Sequence, residues 1–123
     1  MKKLYGLIII ALNFNFLHAQ TADEFYETGM AKAKVNDYKG AIVDFTKALE
    51  INPKDEFAYF NRGLSKYYLG DYMGAMADYN KVLETSPNFI RALSNRGALK
   101  QVLGDYRGAI EDYTKAIAMT PDD

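Results

Sequence analysis

The sequence contains no cysteine and no tryptophan, and its only histidine is His18. A chain without cysteine cannot form a disulfide, a thiolate nucleophile or a zinc site with thiolate ligands. His18 lies in an N-terminal segment that we expect to be removed, so the remaining chain would offer no imidazole to a metal. We therefore predict that the protein holds no metal ion and no cofactor.

Catalytic motifs are missing as well. The sequence has no G-x-S-x-G nucleophile turn, no phosphate-binding loop and no dinucleotide-binding glycine pattern. Adjacent acidic residues occur at 23–24, 55–56, 111–112 and 122–123. Because they fall at predicted helix starts, on a helix surface or at the terminus, solvation or helix-dipole pairing explains them better than acid–base catalysis. We predict that the protein is not an enzyme.

Neither sign of charge is in excess. The chain carries 15 lysines and arginines against 16 aspartates and glutamates, which gives a formal net charge of −1. Nonspecific binding to nucleic acid requires a basic patch, and this balance argues against one. We predict no nucleic-acid partner.

Long apolar runs are confined to the N-terminus. Two lysines precede a mostly apolar stretch over 4–12, and the segment ends in the small residue Ala19. This order is typical of a bacterial secretory signal peptide over 1–19, cleaved before Gln20, and it predicts a periplasmic or secreted protein. The apolar stretch is shorter than the ~20 residues that span a bilayer. An uncleaved anchor and an N-terminal helix packed on the rest of the chain remain as alternatives.

Proline is scarce, and its positions are informative. The three prolines lie 34 residues apart, and a glycine, an alanine and an aromatic residue recur at the same interval. A fixed period of this length indicates a stacked repeat array, because no single unit can bury its own apolar face. We divide the chain into repeats 22–55, 56–89 and 90–123. The recurring residues are Pro53, Pro87 and Pro121; Gly29, Gly63 and Gly97; Ala41, Ala75 and Ala109; and Phe45, Tyr79 and Tyr113.

This spacing resembles the tetratricopeptide repeat, whose pattern W-x2-L-G-x2-Y…A-x3-F…P has the same period. The resemblance covers residues 22–123 and implies an all-α, right-handed α-solenoid of three helix-turn-helix repeats. Three positions depart from the family pattern. The tryptophan place holds Phe25, Tyr59 and Leu93, the leucine place Thr28, Arg62 and Arg96, and the tyrosine place Lys32, Lys66 and Lys100.

The residues themselves also predict two helices in each repeat. Gly70 and Gly104 suit the left-handed residue that ends a first helix, and Asn36 takes that place in the first repeat. The aspartate that follows each of them is suited to cap the second helix, which the repeat's proline then ends. We expect the glycines inside the first helices, such as Gly29, to mark close contacts with small alanines of the second helices, such as Ala41.

The resemblance also implies where a partner would bind. In this family, ligands usually lie against the concave wall formed by the first helices, and the partner is a protein or peptide. The middle first helix brings an aromatic stripe to that wall, and an exposed apolar patch usually marks an interaction site. The alternative is that Phe57 and Phe60 fill space between neighbouring first helices. Our candidate binding residues are Tyr26, Met30, Phe57, Phe60, Asn61, Leu64, Tyr67, Tyr68, Arg91 and Asn95.

Two asparagines recur beside this stripe. In the family, asparagine at the position of Asn61 and Asn95 often bonds the backbone of an extended peptide, since an amide both donates and accepts. The carboxylate clamp of chaperone-binding members is matched here only by Asn61 and Arg91, which does not support a clamp. We expect an extended peptide with an apolar anchor. The alternative is that the asparagines cap local backbone or face solvent.

Charged residues that recur at the same position in each repeat suggest how neighbouring repeats contact each other. Aspartates recur on the second helices and arginines on the first helices that follow them. We predict that Asp44 faces Arg62 and that Asp78 faces Arg96 across successive repeats, which leaves Asp112 unpaired.

The second helix of the third repeat carries side chains that a following repeat would cover. Tyr113, Ala116 and Ile117 occupy places that the next repeat's first helix would cover in the earlier repeats. We expect this end to associate with a partner or with a second copy as a homodimer. The main alternative to a peptide-binding module is a scaffold subunit of a cell-envelope assembly. An enzyme or accessory acting on an envelope polymer lacks any residue signature.

Overall fold

The helix boundaries follow the repeat. The computed structural model describes residues 19–122, so most of the predicted signal peptide lies outside the described residues. Within that range the chain forms helices and no strand. None of the helices described is long and apolar enough to cross a bilayer. The six helices are α1 (Ala22–Lys34), α2 (Tyr38–Ile51), α3 (Glu56–Tyr68), α4 (Tyr72–Thr85), α5 (Ile90–Val102) and α6 (Tyr106–Ala118).

The turn inside each repeat has the predicted geometry. Asn36, Gly70 and Gly104 all adopt positive φ, at 64°, 82° and 86°. The next residue then caps the second helix. Asp37 accepts a hydrogen bond from the backbone N–H of Gly40 at 3.0 Å, and the same bond recurs in the other two repeats.

The glycine at this third helical position has a steric reason. A Cβ atom built on Gly40 would collide with the capping carboxylate of Asp37, and Gly74 and Gly108 stand in the same relation to their own caps. Glycine therefore leaves room for the aspartate cap in the conformation that all three repeats share.

The glycines inside the first helices do mark close contacts with the second helices. A Cβ on Gly29 would lie 2.8 Å from the ring of Phe45, and one on Gly63 would lie 3.0 Å from the ring of Tyr79. The nearest partner of each glycine is therefore an aromatic residue of the second helix, whose flat ring packs against the bare backbone. The expected contact with Ala41 and its equivalents stays a prediction.

Helices pack in chain order as three successive pairs. Each first helix packs on its own second helix, and each second helix packs on the first helix of the next repeat. In addition, α1 contacts α3 directly. A buried cluster runs from α3 through α6 and includes Tyr79, Val82, Leu93 and Leu99. The first helices therefore form one face of the array, and that face carries the depression described below.

The buried aspartates pair inside their own repeat. Asp78 is 3% exposed and accepts hydrogen bonds from Arg62 Nε at 2.9 Å and Arg62 Nη2 at 2.7 Å. Lys66 Nζ lies 3.1 Å from the same carboxylate. Asp112 has the same arrangement with Arg96. The lysines and arginines that depart from the family pattern thus neutralise a buried carboxylate.

The predicted pairs across repeats were therefore wrong. Asp44 contacts Lys32 of its own repeat at 2.8 Å instead of Arg62, and Asp112 is paired instead of free. The arginine still reaches the preceding repeat, but through a neutral group. Arg62 Nη1 donates to Thr46 Oγ1 at 3.3 Å, so one guanidinium connects the second helices of two repeats.

The end of the array exposes side chains that are covered elsewhere. Ile117 is 73% exposed, whereas Leu49 and Leu83, at the same place in the earlier repeats, are 6% and 9% exposed. Ile110 and Tyr106 are also well exposed. The expectation that Ala116 is left uncovered was wrong, because this residue of α6 belongs to the buried core cluster.

Candidate functional site

A depression of about 570 Å³ lies on the face formed by the first helices. We call it the first-helix groove. Met30 of α1, Leu64 and Tyr68 of α3, and Arg91 of α5 all line it, so the three repeats each contribute. Tyr38, the first residue of α2, closes one rim.

Asn61 also lines the groove, but its amide group is partly occupied. Its Nδ2 atom donates to the hydroxyl of Tyr26 at 3.0 Å and to the backbone carbonyl of Phe57 at 2.9 Å. Both amide hydrogens are therefore used inside the protein. The side-chain oxygen remains the group through which Asn61 could accept a bond from a peptide N–H.

Phe60 is a core residue. It is 1% exposed and packs against Tyr79 and Phe89, with ring centroids 6.0 and 5.2 Å away. The expectation that Phe60 lies open in the groove was wrong, and the space-filling alternative describes it. On the groove side, the guanidinium of Arg91 covers its ring at 4.8 Å. Because a cation over a ring face is attracted to it, this contact orients Arg91.

Phe57 remains at the surface. It is 53% exposed, and its ring meets Phe89 edge-on at 5.7 Å. Phe89 occupies the N-cap position of α5, where Thr21 caps α1 and Asp55 caps α3 through their side chains. Phe89 makes no side-chain cap bond. The aromatic residue has replaced a cap with packing against α3. Phe57 does not line the groove.

A smaller depression of about 150 Å³ adjoins the groove between α3 and α5. Tyr67, Tyr79 and Asn95 line it, and Leu64 and Tyr68 belong to both depressions. The structure therefore brings eight of the ten candidate binding residues onto or beside these two surfaces, with Tyr26 held against Asn61. Phe57 and Phe60 are the exceptions.

Burial controls the ionisation of the tyrosine beneath this second depression. Burial raises the pKa of Tyr79 to about 12, although the neighbouring amide of Asn95 opposes the rise. Burial likewise raises the pKa of Tyr26, against a lowering contribution from its bond with Asn61. The bond between Asn61 and the Tyr26 hydroxyl joins the first two repeats, and Asn95 lines the same depression as Tyr79.

The position of that tyrosine alternates between repeats. The first repeat pairs Tyr26 on α1 with Phe45 on α2, and the second pairs Phe60 on α3 with Tyr79 on α4. Each ring pair thus contains one hydroxyl, and that of Tyr26 accepts a hydrogen bond from the next repeat's Asn61. The sequence shows that tyrosine and phenylalanine exchange places at these two positions of the repeat, but it does not indicate that the two positions face each other.

Six residues that line the groove were not among the candidate binding residues. They are Glu27, Ala31, Ala33, Lys34, Tyr38 and Ser65. Tyr38 belongs to a column with Tyr72 and Tyr106, and that recurrence was the available signal. Tyr38 lies on a second helix, whereas the candidate binding residues all lie on first helices.

Nothing in these depressions resembles a reaction centre. Residues 19–122 contain no group of three or more potential metal ligands. A further depression of about 360 Å³ is lined by leucines, a proline, an asparagine and three charged residues, among them Arg96, which Asp112 already holds. The first-helix groove, with its apolar floor and few polar groups, has the chemistry of a binding surface.

Several solved structures share this fold. MamA is 26% identical with a TM-score of 0.80, and the match covers 86% of this chain and 62% of MamA. The first TPR of Spaghetti (RPAP3), solved with the HSP90 peptide SRMEEVD, is 25% identical with a TM-score of 0.80, covering 86% of this chain and 84% of that one. The TPR2B domain of yeast Sti1, solved as a pHsp70 complex, is 28% identical with a TM-score of 0.76, covering 80% and 78%. No curated protein matches the chain by sequence.

Family models confirm the resemblance repeat by repeat. One model, described as tetratricopeptide repeat, matches residues 57–89. A second model with the same description matches residues 25–55 and 90–123. Together they cover nearly all of the described helices, and the chain belongs to the tetratricopeptide repeat family.

Proposed function

We propose that this protein is an exported, non-catalytic interaction module that binds an extended peptide or protein segment along its first-helix groove. The observation that carries the proposal is the groove itself. It is the wall that the family would present as its concave face, and Met30 and Tyr68 expose apolar surface in it, at 38% and 58%. Exposed apolar surface next to a few oriented polar groups is characteristic of a recognition site.

The polar groups fit an extended segment. Asn61 retains a side-chain acceptor and Arg91 retains its donors, and both line the same depression as the apolar floor. An extended peptide exposes backbone N–H and C=O groups that such side chains can pair, whereas a helix satisfies its own. Two structural neighbours were solved with peptide or protein ligands, which is consistent with this use of the fold.

The test is selection from a random peptide library on the full chain, followed by affinity measurements on two matched variants. Met30→Asp places a charge in the groove, and Met73→Asp places the same charge on α4, where the side chain is 72% exposed. We expect Met30→Asp to weaken binding about tenfold or more and Met73→Asp to leave it unchanged, since central apolar contacts dominate binding energy. Equal effects of the two variants, with native circular dichroism, would contradict the proposal.

Export forms the second part of the proposal. The basic start, the apolar stretch over 4–12 and the small residue Ala19 support a cleaved signal peptide. Expression of the full chain in a bacterial host, followed by mass spectrometry of the periplasmic fraction, should give a product that begins at Gln20. Retention of Met1 in the membrane fraction would indicate an anchor, and retention in the cytoplasm would refute export.

A second candidate function is self-association through the face of α6, with a scaffold role in an envelope assembly. The supporting observation is the exposure of Ile117, whose equivalents Leu49 and Leu83 are buried, together with the exposed Ile110 on the same helix. Two such faces could bury each other around a two-fold axis. Light scattering of the full chain should then show a dimer that Ile117→Lys dissociates. A monomer over the whole concentration range would contradict this role.

A further inference from the structure

Four tyrosines form a continuous row that begins at the rim of the first-helix groove. Tyr38 stacks on Tyr68 with ring centroids 4.9 Å apart and planes 18° from parallel. Tyr68 meets Tyr67 at 5.8 Å, and Tyr67 meets Tyr72 at 5.5 Å. The row therefore connects α2, α3 and α4. Tyr38 and Tyr68 line the groove, and Tyr67 lines the smaller depression beside it. We call it the tyrosine row.

The hydroxyl groups of the row are mostly available. Tyr38 donates to Asn36 Oδ1 at 2.8 Å. The hydroxyls of Tyr67, Tyr68 and Tyr72 have no hydrogen-bond partner among residues 19–122. Each can donate to a carbonyl of a bound molecule. The row thus combines aromatic faces with donors at a fixed spacing.

Leu64 and Tyr68 form a ridge inside the groove. They are shared by the depression of about 570 Å³ on one side and the depression of about 150 Å³ on the other. A ligand with bulky groups on alternate sides could place one in each depression and lie across the ridge. This shape favours a narrow, extended backbone over an α-helix, whose diameter with side chains is about 10–12 Å.

A polyproline II helix meets these requirements. Proline rings stack on aromatic faces, and the backbone carbonyls of this helix have no internal partner, so they accept bonds from groups such as tyrosine hydroxyls. The segment is also preformed, so it loses little conformational entropy on binding. A tyrosine-rich surface with unused donors matches this chemistry better than it matches a β-strand, which would need a free sheet edge.

The charge of the groove adds a second requirement. Lys34 and Arg91 line it against a single acidic residue, Glu27. Within residues 19–122, neither cation forms an ion pair. Arg91 is also held in place by its contact with Phe60. A ligand with an acidic side chain would complement this excess of positive charge.

We propose, on the basis of the function proposed above, that the tyrosine row and Arg91 select a proline-rich segment carrying an acidic residue. Prolines pack against Tyr38 and Tyr68 and on both sides of the ridge. Tyrosine hydroxyls donate to the carbonyls of the segment, and its acidic side chain pairs with Arg91.

The experiment measures fluorescence anisotropy of labelled peptides with the full chain. The probe is a proline-rich nonapeptide with a glutamate at each end. One analogue has every proline replaced by alanine, and another has both glutamates replaced by lysine. The variants are Tyr68→Leu and Arg91→Gln, and the matched control is Tyr106→Leu, which removes a tyrosine that is 66% exposed outside the groove.

We expect both analogues to bind about tenfold more weakly than the probe. Tyr68→Leu should weaken probe binding to a similar extent, Tyr106→Leu should not, and Arg91→Gln should reduce the difference between the glutamate and lysine peptides. Equal affinity for the alanine analogue, or equal effects of the two tyrosine variants, would overturn the inference. Tyr68-dependent binding of chitotetraose without binding of the probe would assign the row to a glycan and overturn it as well.

The library selection separates this inference from the function on which it rests. If selected peptides lack proline but still depend on Met30, the proposed function stands and the proline-rich ligand is wrong. If neither the probe nor any selected peptide binds the groove, both proposals fail.

Discussion

Arg62 and Asp78 form a two-point hydrogen-bonded ion pair between the first and second helices of one repeat, at 2.9 and 2.7 Å. The carboxylate is 3% exposed and also lies 3.1 Å from Lys66 Nζ. Removal of one member would leave buried charge without its partner, which is the costly case for an ion pair. The pair therefore holds a helix pair in register and constrains substitutions there.

The first prediction concerns this pair. Asp78→Asn should lower the free energy of unfolding by about 2–3 kcal/mol, because Arg62 loses its buried counter-charge. Glu84→Gln, which breaks the exposed 3.5 Å pair with Lys81 on α4, should change it by less than about 0.5 kcal/mol. Urea denaturation of both variants measures the difference. Similar small losses would show that the buried pair contributes no more than a surface pair.

The second prediction compares two phenylalanines three residues apart. Phe60→Ala should cost about 3–5 kcal/mol of stability, since its ring is fully buried and its loss leaves a cavity. Phe57→Ala should cost roughly 1 kcal/mol, because half of that ring already faces water and one edge contact is lost. Thermal or urea unfolding checks both values. A small loss of stability for Phe60→Ala would indicate that this side chain is exposed in the groove and is not part of the core.

The third prediction concerns alkaline pH. Because burial raises the pKa of Tyr79 to about 12, the folded protein keeps this proton while an unfolded tyrosine loses it near pH 10. The unfolded state then binds fewer protons between these values, so stability should fall as pH rises from about 10 to 12.

Tyr79→Phe isolates this contribution from the ionisation of the lysines, which affects both proteins. The variant should lose less stability than the natural chain over that alkaline interval. Urea titrations at a series of pH values give the comparison. Parallel curves for the two proteins would mean that Tyr79 titrates normally in the folded state.

Much of the fold could be predicted because local rules repeat three times. Asn36, Gly70 and Gly104 were assigned a left-handed conformation from residue type and place alone, and all three adopt it. Within each repeat the period, the capping residue and the proline all indicate the same two helices, so the helix assignment does not depend on any single residue. The N-terminal signal peptide stays a prediction.

Partners across helices could not be predicted from the same columns. Arg62 follows Asp44 by 18 residues and precedes Asp78 by 16, so the spacing allowed either pairing. Only the rotation of the two helices about their axes decides between them. The same uncertainty affected the glycine contacts, where the sequence did not indicate that an aromatic ring such as that of Phe45 lies nearest to Gly29.

The candidate site was predicted in outline but not in depth. A helical repeat places Phe60 on the same stripe as Leu64 and Tyr67, which suggests one shared surface. Phe89, at the start of the next repeat, covers Phe60 and leaves its neighbours open. Arg91 covers the same ring on the groove side. Side chains from the start of the next repeat therefore bury Phe60, and the repeat pattern did not contain that information.

Amide chemical-shift mapping determines whether the first-helix groove is the binding surface. On titration with a peptide selected from the random library, we expect the largest shifts at Met30, Leu64 and Tyr68. The second-helix residues Val43 and Met73, which are 51% and 72% exposed, should not shift. Shifts concentrated at those two residues, or on the α6 face around Ile110 and Ile117, would show that the ligand binds elsewhere.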